Sequence, residues 1–306
     1  MRNILLALGL LIGTSTALVA AERPRPARPA AAAAVHVPPR AEMVFDVASG
    51  QVLPASNAGV AIRPASLTKM MTLEMLFDAI ERGRVSRTAM VPISAHAASM
   101  QPSKLGAPAG SKIPMEQAIL CLAVRSCNDV AVAVAELLAG SEPAFARLMT
   151  KRAAEMGMTA TRFANASGLP HPGNVSTARD LVVLGATLMA RHPASWGFMG
   201  VPTWTAPTDG RVSTNRTVAA HPNIDGGKTG YIAASGFNMF ASAIRGGSRV
   251  LVVVIGGASA AERDARVAAL VEAGLQVAEK ATTPASPNPA APTLAAPAGA
   301  QATPAS

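Results

Sequence analysis

Three short boxes in fixed order constrain this chain more than any other feature: Ser66-Leu67-Thr68-Lys69, Ser126-Cys127-Asn128 and Lys228-Thr229-Gly230. They lie about 60 and then about 100 residues apart, so a fold that uses them together must gather distant segments into one cleft. The first box sets a hydroxyl and an amine one helical turn apart, where both can face the same side. The second adds a hydroxyl and a carboxamide, the third a cation, a hydroxyl and a glycine. A serine hydroxyl is a poor nucleophile until a base removes its proton. Lys69 can be that base only when neutral, which requires lowering a reference pKa near 10.4 by about 3 units, roughly 4 kcal/mol of environmental bias. Burial and a second cation both act in that direction, and Lys228 is the natural second cation. The boxes also have plainer explanations. Ser66 can be a helix cap with Lys69 on the surface, and Ser126 and Asn128 can cap a helix before Asp129. Capping and catalysis are compatible.

Around the boxes the pattern alternates between strand and helix. Met43 to Val47 and Gln51 to Leu53 read as two strands about a Ser49-Gly50 turn. Met70, Met71, Leu73, Leu76, Phe77 and Ile80 recur at helical spacing up to Gly83, which places Ser66 at a helix start over the positive end of the helix dipole. Pro114 to Ala123 and Asp129 to Ala139 read as helices with the Ser126 box in the break between them, and Ser141 caps another helix to about Met156. Thr177-Ala178-Arg179-Asp180 resembles a capping box with Asp as its acidic member. Lys228 to Ile232, Phe237 to Ile244 and Arg249 to Ile255 are β-rich, with Gly246-Gly247 as a turn and a closing amphipathic helix over Ala260 to Glu279. On a strand, Lys228 and Gly230 face one way and Thr229 the other unless the strand twists. Two strands at the front, three at the back and helices between predict one sheet whose halves flank a helical subdomain.

The ends differ from this block. Residues 1–21 carry Arg2, the apolar run Ile4 to Ile12 and small residues at the exit, an export signal too short for a membrane span. Residues 22–40 form a Pro/Ala-rich linker and residues 281–306 a disordered Pro/Ala-rich tail, leaving 41–280 as a single domain. The formal charge of +9 suits an anionic wall or membrane surface without selecting a partner. Aromatics at 3% and no basic helix with stacking residues exclude a nucleic-acid module. Cys121 and Cys127, if on one helix, would stand about 9 Å apart, beyond disulfide reach, which predicts two buried thiols.

Other chemistries fail on spacing. Gly226-Gly227-Lys228-Thr229 ends like a phosphate-binding loop, but Pro222 replaces the required first glycine. Gly257-Ala258-Ser259-Ala260-Ala261 lacks the second glycine of a nucleophile elbow. The five histidines are scattered, so no metal or cofactor is expected.

The ordered boxes, together with Pro64 to Thr72, Asn165-Ala166-Ser167-Gly168-Leu169, Ser176 to Asp180, Asp225 to Tyr231 and Ala234 to Asn238, resemble the low-molecular-weight penicillin-binding proteins. Within these, the likeness is to the serine-type D-alanyl-D-alanine carboxypeptidases, over about residues 41 to 280. The resemblance implies a mixed α/β, β-lactamase/transpeptidase-like fold, an antiparallel sheet with flanking helices plus a helical subdomain. It implies a Ser66 acylated by peptidoglycan stem peptides ending in D-Ala-D-Ala, with Lys69 as base and Ser126 and Lys228 assisting proton transfer. Asn128 would hold a substrate amide, and Thr229 the terminal carboxylate beside Gly230, with Arg263 near it. The backbone N–H groups of Ser66 and Tyr231 would take the oxyanion. β-Lactams would form a slowly hydrolysed ester. Cys127 stands where family members more often carry glycine or alanine. The second β-domain and amphipathic anchor of many relatives have no counterpart before the tail, so no stable membrane anchor is expected. Three other readings remain open: a DD-endopeptidase, a class A β-lactamase (disfavoured by the lack of an acidic deacylation motif between Ser126 and Lys228), and a non-catalytic wall-binding or penicillin-sensing protein.

Overall fold

In the computed structural model, which describes residues 38–281, the sheet begins with the hairpin β1 (Ala41–Asp46) and β2 (Val52–Ser56). The expected leader, the Pro/Ala-rich stretch as far as residue 37 and the tail from 282 lie outside the described residues. Asp46 closes the hairpin by accepting from Ala48 N at 3.1 Å and Ser49 Oγ at 2.6 Å. A turn over Ala65–Thr68 then leads into α1 (Lys69–Glu81), whose Met70, Met71, Leu73, Leu76 and Phe77 are buried. Glu74 of the same helix is fully buried too, forked by Arg152 Nε at 3.1 Å and Nη2 at 2.5 Å. Burial works against its charge, yet the His192 and Arg152 contacts win and hold the carboxyl below its usual range.

The helical lobe follows. β3 (Met90–Pro92) and β4 (Lys112–Pro114) pair around α2 (Ala95–Ser99), and α3 (Met115–Leu120) runs into a π turn over Cys121–Arg125. α4 (Asn128–Ala139) stops at Gly140, and Ser141 caps α5 (Glu142–Glu155) by accepting from Ala144 N. α6 (Ala178–Arg191) starts at Thr177, whose hydroxyl accepts from Asp180 N at 3.0 Å. The reciprocal half of that capping box is absent: Asp180 instead accepts from Ala160 N and Thr161 Oγ1, tying down the preceding loop. After α7 (Pro193–Trp196), the short pair β5 (Thr203–Thr205) and β6 (Val212–Thr214), and α8 (Arg216–Ala220), the chain returns to the sheet. β7 (Ile224–Ile232), β8 (Gly236–Arg245) and β9 (Ser248–Gly257) complete it, and α9 (Ala260–Ala281) closes the described chain.

Strand order is β2-β1-β9-β8-β7, antiparallel throughout. β9 is buried on both faces, and the period-2 alternation divides its side chains between two cores. Leu251, Val253 and Ile255 join Met43, Phe45, Phe240 and the helical lobe. Val250, Val252 and Val254 join Val44, Met239 and the Val267, Leu270, Val271 and Leu275 face of α9. The fold is therefore a mixed α/β arrangement, an antiparallel sheet between helices with a helical lobe grown from the β2–β7 connection.

One expectation is overturned. Cys121 and Cys127 are not separate thiols but a disulfide, their Cα atoms 5.5 Å apart. The 9 Å figure assumed a helix running through both, and the helix does not continue. Ser126 takes φ 63°, ψ 42°, and the amides of Ser126 and Cys127 both donate to the Cys121 carbonyl, folding the chain back on itself. The strand pairs β3–β4 and β5–β6 were also not anticipated, because strands of three residues, the first two ending in Pro92 and Pro114, are too short to show alternation.

α6 approaches β8 closely at Gly185, where a Cβ would sit 2.1 Å from the Phe240 ring, itself edge-on to Trp196. Gly185→Val is expected to cost about 1–3 kcal/mol by overpacking, read as a fall of several degrees in the thermal midpoint. Gly197→Ala, whose Cβ meets open space on a right-handed backbone, is the contrasting control and should leave the midpoint unchanged or raise it slightly.

Candidate active site

Ser66 lies in the tight turn before α1, and its backbone is gripped from two sides. Ala65 is held at φ 50°, a conformation that costs a non-glycine residue about 1–2 kcal/mol. Gly168, at φ 82°, comes so near that a Cβ there would be 1.8 Å from the Ala65 carbonyl oxygen. From β7, a Cβ on Gly230 would be 3.0 Å from Ser66 N. Two positions without side chains thus let two other segments close on the serine.

Lys69, one turn further and fully buried, points its Nζ at three oxygens: Ser66 Oγ at 3.1 Å, Asn128 Oδ1 at 2.7 Å and the Ser167 carbonyl at 2.6 Å. A charged ammonium would donate to all three. A neutral amine donates twice and keeps one lone pair, which fits donation to Asn128 and Ser167 and acceptance from the Ser66 hydroxyl. Burial first, and then the Lys228 cation, hold the Lys69 amine well below the usual lysine range, against the opposing pull of Asp129 and Glu142.

Lys228 reaches from β7 to Ser126 Oγ at 2.9 Å and to the Thr229 carbonyl at 3.0 Å. Burial, and next the Arg263 guanidinium, push it down to about 7. Ser126 can meet it because its left-handed backbone turns the side chain out of the helical path between α3 and α4. Asn128, expected to face a ligand amide, has its carboxamide engaged at both ends, Oδ1 by Lys69 and Nδ2 by the Gln101 carbonyl at 2.9 Å. One N–H and one lone pair of that group remain.

Ser66, Ser126, Thr229, Gly230, Tyr231 and Arg263 are among the residues that line a cleft of about 320 Å³, and Lys69, Asn128 and Lys228 stand behind that wall, joined to it through Ser66 and Ser126. Thr229 and Gly230 both line it, the glycine through its backbone, and β7 pairs with β8 in unbroken register across them. Hollows of about 550 and 660 Å³ elsewhere are larger but touch none of the three boxes. Sequence reading missed four contributors. Ser103 accepts from Asn128 N through its carbonyl and donates its hydroxyl to the Arg125 carbonyl. The Ser167 carbonyl is a backbone acceptor with no side-chain signature. Asn215, which caps α8 and donates to the Gly227 carbonyl, and the neighbouring Arg216 also line the cleft. Only the cap signal at Asn215 could have been noticed. Arg263 lines the cleft while holding Asp264 Oδ1 at 2.6–2.8 Å. Among the described residues no group of three or more His, Cys, Asp or Glu could hold a metal ion.

Known proteins share this chain's sequence and fold. The profile of the family described as D-alanyl-D-alanine carboxypeptidase matches residues 28–259. The D-alanyl-D-alanine carboxypeptidase DacF of Bacillus subtilis is 33% identical over 229 residues, 73% of this chain and 59% of that protein. DacC of Escherichia coli is 34% identical over 230 residues, 73% of this chain and 58% of that protein. The chain thus spans a little under three fifths of the length of these relatives. Among solved structures, the D-alanyl-D-alanine carboxypeptidase DacD from Francisella tularensis superposes with a TM-score of 0.72 at 26% identity, covering 79% of this chain and 70% of that one. Penicillin-binding protein D2 from Listeria monocytogenes, in its ampicillin-bound form, gives 0.66 at 27% identity, covering 76% and 96%.

The buried Lys228 has a thermodynamic signature. Its folded pKa near 7 lies below the usual 10.5, so between these values the unfolded chain binds more protons and stability rises with pH. Below pH 7 the whole penalty is present. Lys228→Met is therefore expected to stabilise the protein most at about pH 6, with the gain shrinking towards pH 10, as read by urea denaturation at both ends of that range.

Proposed function

Because this chain belongs to the D-alanyl-D-alanine carboxypeptidase family, we propose that it hydrolyses the terminal D-alanine from peptidoglycan stem pentapeptides through an ester on Ser66. The observation that carries the reading is the buried Lys69 amine, 3.1 Å from Ser66 Oγ with its other contacts saturated. Neutral Lys69 takes the hydroxyl proton as Oγ bonds to the penultimate D-alanine carbonyl. The C–N bond then breaks, and the leaving amine receives a proton from Ser126, which Lys228 resupplies across 2.9 Å. Lys69 then gives up the proton it took and Lys228 regains the one it passed on, both by exchange with solvent. Water next bonds to the acyl carbon as it gives a proton to the neutral Lys69, which returns it to Ser66 Oγ as the ester C–O bond breaks and the shortened peptide leaves.

Charge development has a place to go. The amides of Ser66 and Tyr231 serve the oxyanion, preorganised donors of the kind that dominate acyl transfer. Thr229, Arg263 and the unanticipated Arg216 share the wall where the substrate's terminal carboxylate would lie. A β-lactam would enter as a cyclic amide and leave Ser66 as a slowly hydrolysed ester.

The same reading puts the protein outside the cytoplasm, in the periplasm or at the cell wall. The Arg2-led leader supports it, and so does the Cys121–Cys127 disulfide, a bond that persists in oxidising compartments. Among the described residues no helix is long and apolar enough to cross a membrane.

Fluorescent penicillin is expected to label the purified protein covalently and Ser66→Ala to abolish labelling; labelling that survives the substitution would sink the nucleophile assignment. Free D-alanine is expected from a pentapeptide, whereas release only from crosslinked dimers would make the enzyme an endopeptidase. Because Lys69 acts as an uncharged base, the labelling rate should fall as pH is lowered and the site takes up protons. A pH-independent rate would count against that role.

A further inference from the structure

The Cys121–Cys127 bond takes part in no step of the proposed reaction, yet it brackets Ser126. Residues 115–139 are mostly helical, and a helix running straight through would hold the two Cα atoms about 9 Å apart, outside the span of a disulfide. The observed separation is 5.5 Å. A through-running helix and the bond exclude one another. Both cysteines are fully buried, so the bond is shielded from outside thiols. Within the closed loop, Ser126 holds φ 63°, a left-handed state that serine adopts only when its surroundings over-determine it. The Ser126 and Cys127 amides stack onto one carbonyl, that of Cys121. Directly beyond the bond, Asn128 N donates to the Ser103 carbonyl at 2.7 Å and Asn128 Oδ1 meets Lys69.

We infer that this disulfide is a covalent clamp that keeps the second box in its broken, left-handed form and so aims Ser126 Oγ at Lys228. Cys121 and Cys127 are positioning residues: they touch no reacting atom and act through Ser126. The inference rests on the acyl-transfer reading above and deepens it, since a proton donor aimed by a backbone kink needs that kink held.

A double-mutant cycle separates a clamp from a general staple. Wild type, Cys121→Ala/Cys127→Ala, Ser126→Ala and the combined triple variant are compared for their rates of labelling by fluorescent penicillin, with near-ultraviolet circular dichroism and thermal midpoint as folding controls. Where Ser126 is present, loss of the bond is expected to slow labelling about tenfold to a hundredfold, the size of effect that a misplacement of about 1 Å produces. In the Ser126→Ala background the same loss is expected to be under about twofold, because the group being aimed is gone. Equal losses in both backgrounds, or no loss in either, overturn the clamp. If the paired variant does not fold, Cys121→Ala alone, which leaves Cys127 in its slot, goes through the same cycle; failure of both to fold makes the bond a folding staple and overturns the proposal. A wild type that never labels would strike down the acyl-transfer reading itself, an outcome distinct from a labelled wild type with an unaffected paired variant.

Discussion

Desolvation of one amine governs the arrangement of this molecule. Lys69 is buried with no carboxylate within bonding distance, in the company of a second buried lysine, and held by neutral oxygens alone. An ammonium placed this way is costly, and burial together with the Lys228 cation holds the amine's pKa well below the usual lysine range. The remaining architecture serves that outcome. α1 fixes the amine one turn from the hydroxyl, α4 presents Asn128, the loop before α6 presents the Ser167 carbonyl, and β7 brings the repelling charge of Lys228.

Such a site needs rigid walls, because a lysine with room to move would swing its amine to water and regain its charge. Rigidity comes from close backbone approach and from charge pairing at a distance. Gly168 and Gly230 let two neighbouring segments press closely on the Ser66 turn. Midway along α1, the buried Glu74–Arg152 fork ties the helix to α5. Burying a charge is tolerated there because its partner and hydrogen bonds are complete, whereas around Lys69 the partner is withheld.

Much of this was legible in the amino-acid order, for identifiable reasons. Ser66 and Lys69 announce themselves through helical spacing, and Lys228 through the need for a second cation. The strands of the sheet show in β-branched runs and the Gly246-Gly247 turn, both members of which have positive φ. What escaped notice was non-periodic or depended on backbone shape. The Ser167 carbonyl carries no side-chain signal, and Ser103, in a loop, and Arg216, the first residue of α8, reach the cleft only through the path of the chain. The paired cysteines were misread because a regular helix was assumed across residues 121 to 127, where one left-handed residue changes the geometry. Asn128 was recognised by type, but its role as a brace for Lys69 appears only when both ends of the carboxamide are traced.

The strand order also dictates a sequence of assembly. β1 has β2 on one side from the outset, but its other neighbour, β9, pairs Ala41 with Ile255, from the opposite end of the described chain. Until that late strand arrives, β1 presents an open row of amides and carbonyls, and α1 has no finished sheet to lean on. Closing so long a loop comes before any of the contacts that reward it. A chain made from its N-terminus would therefore have the Ser66 turn and α1 in place well before β7 could bring Gly230 and Lys228 up to them.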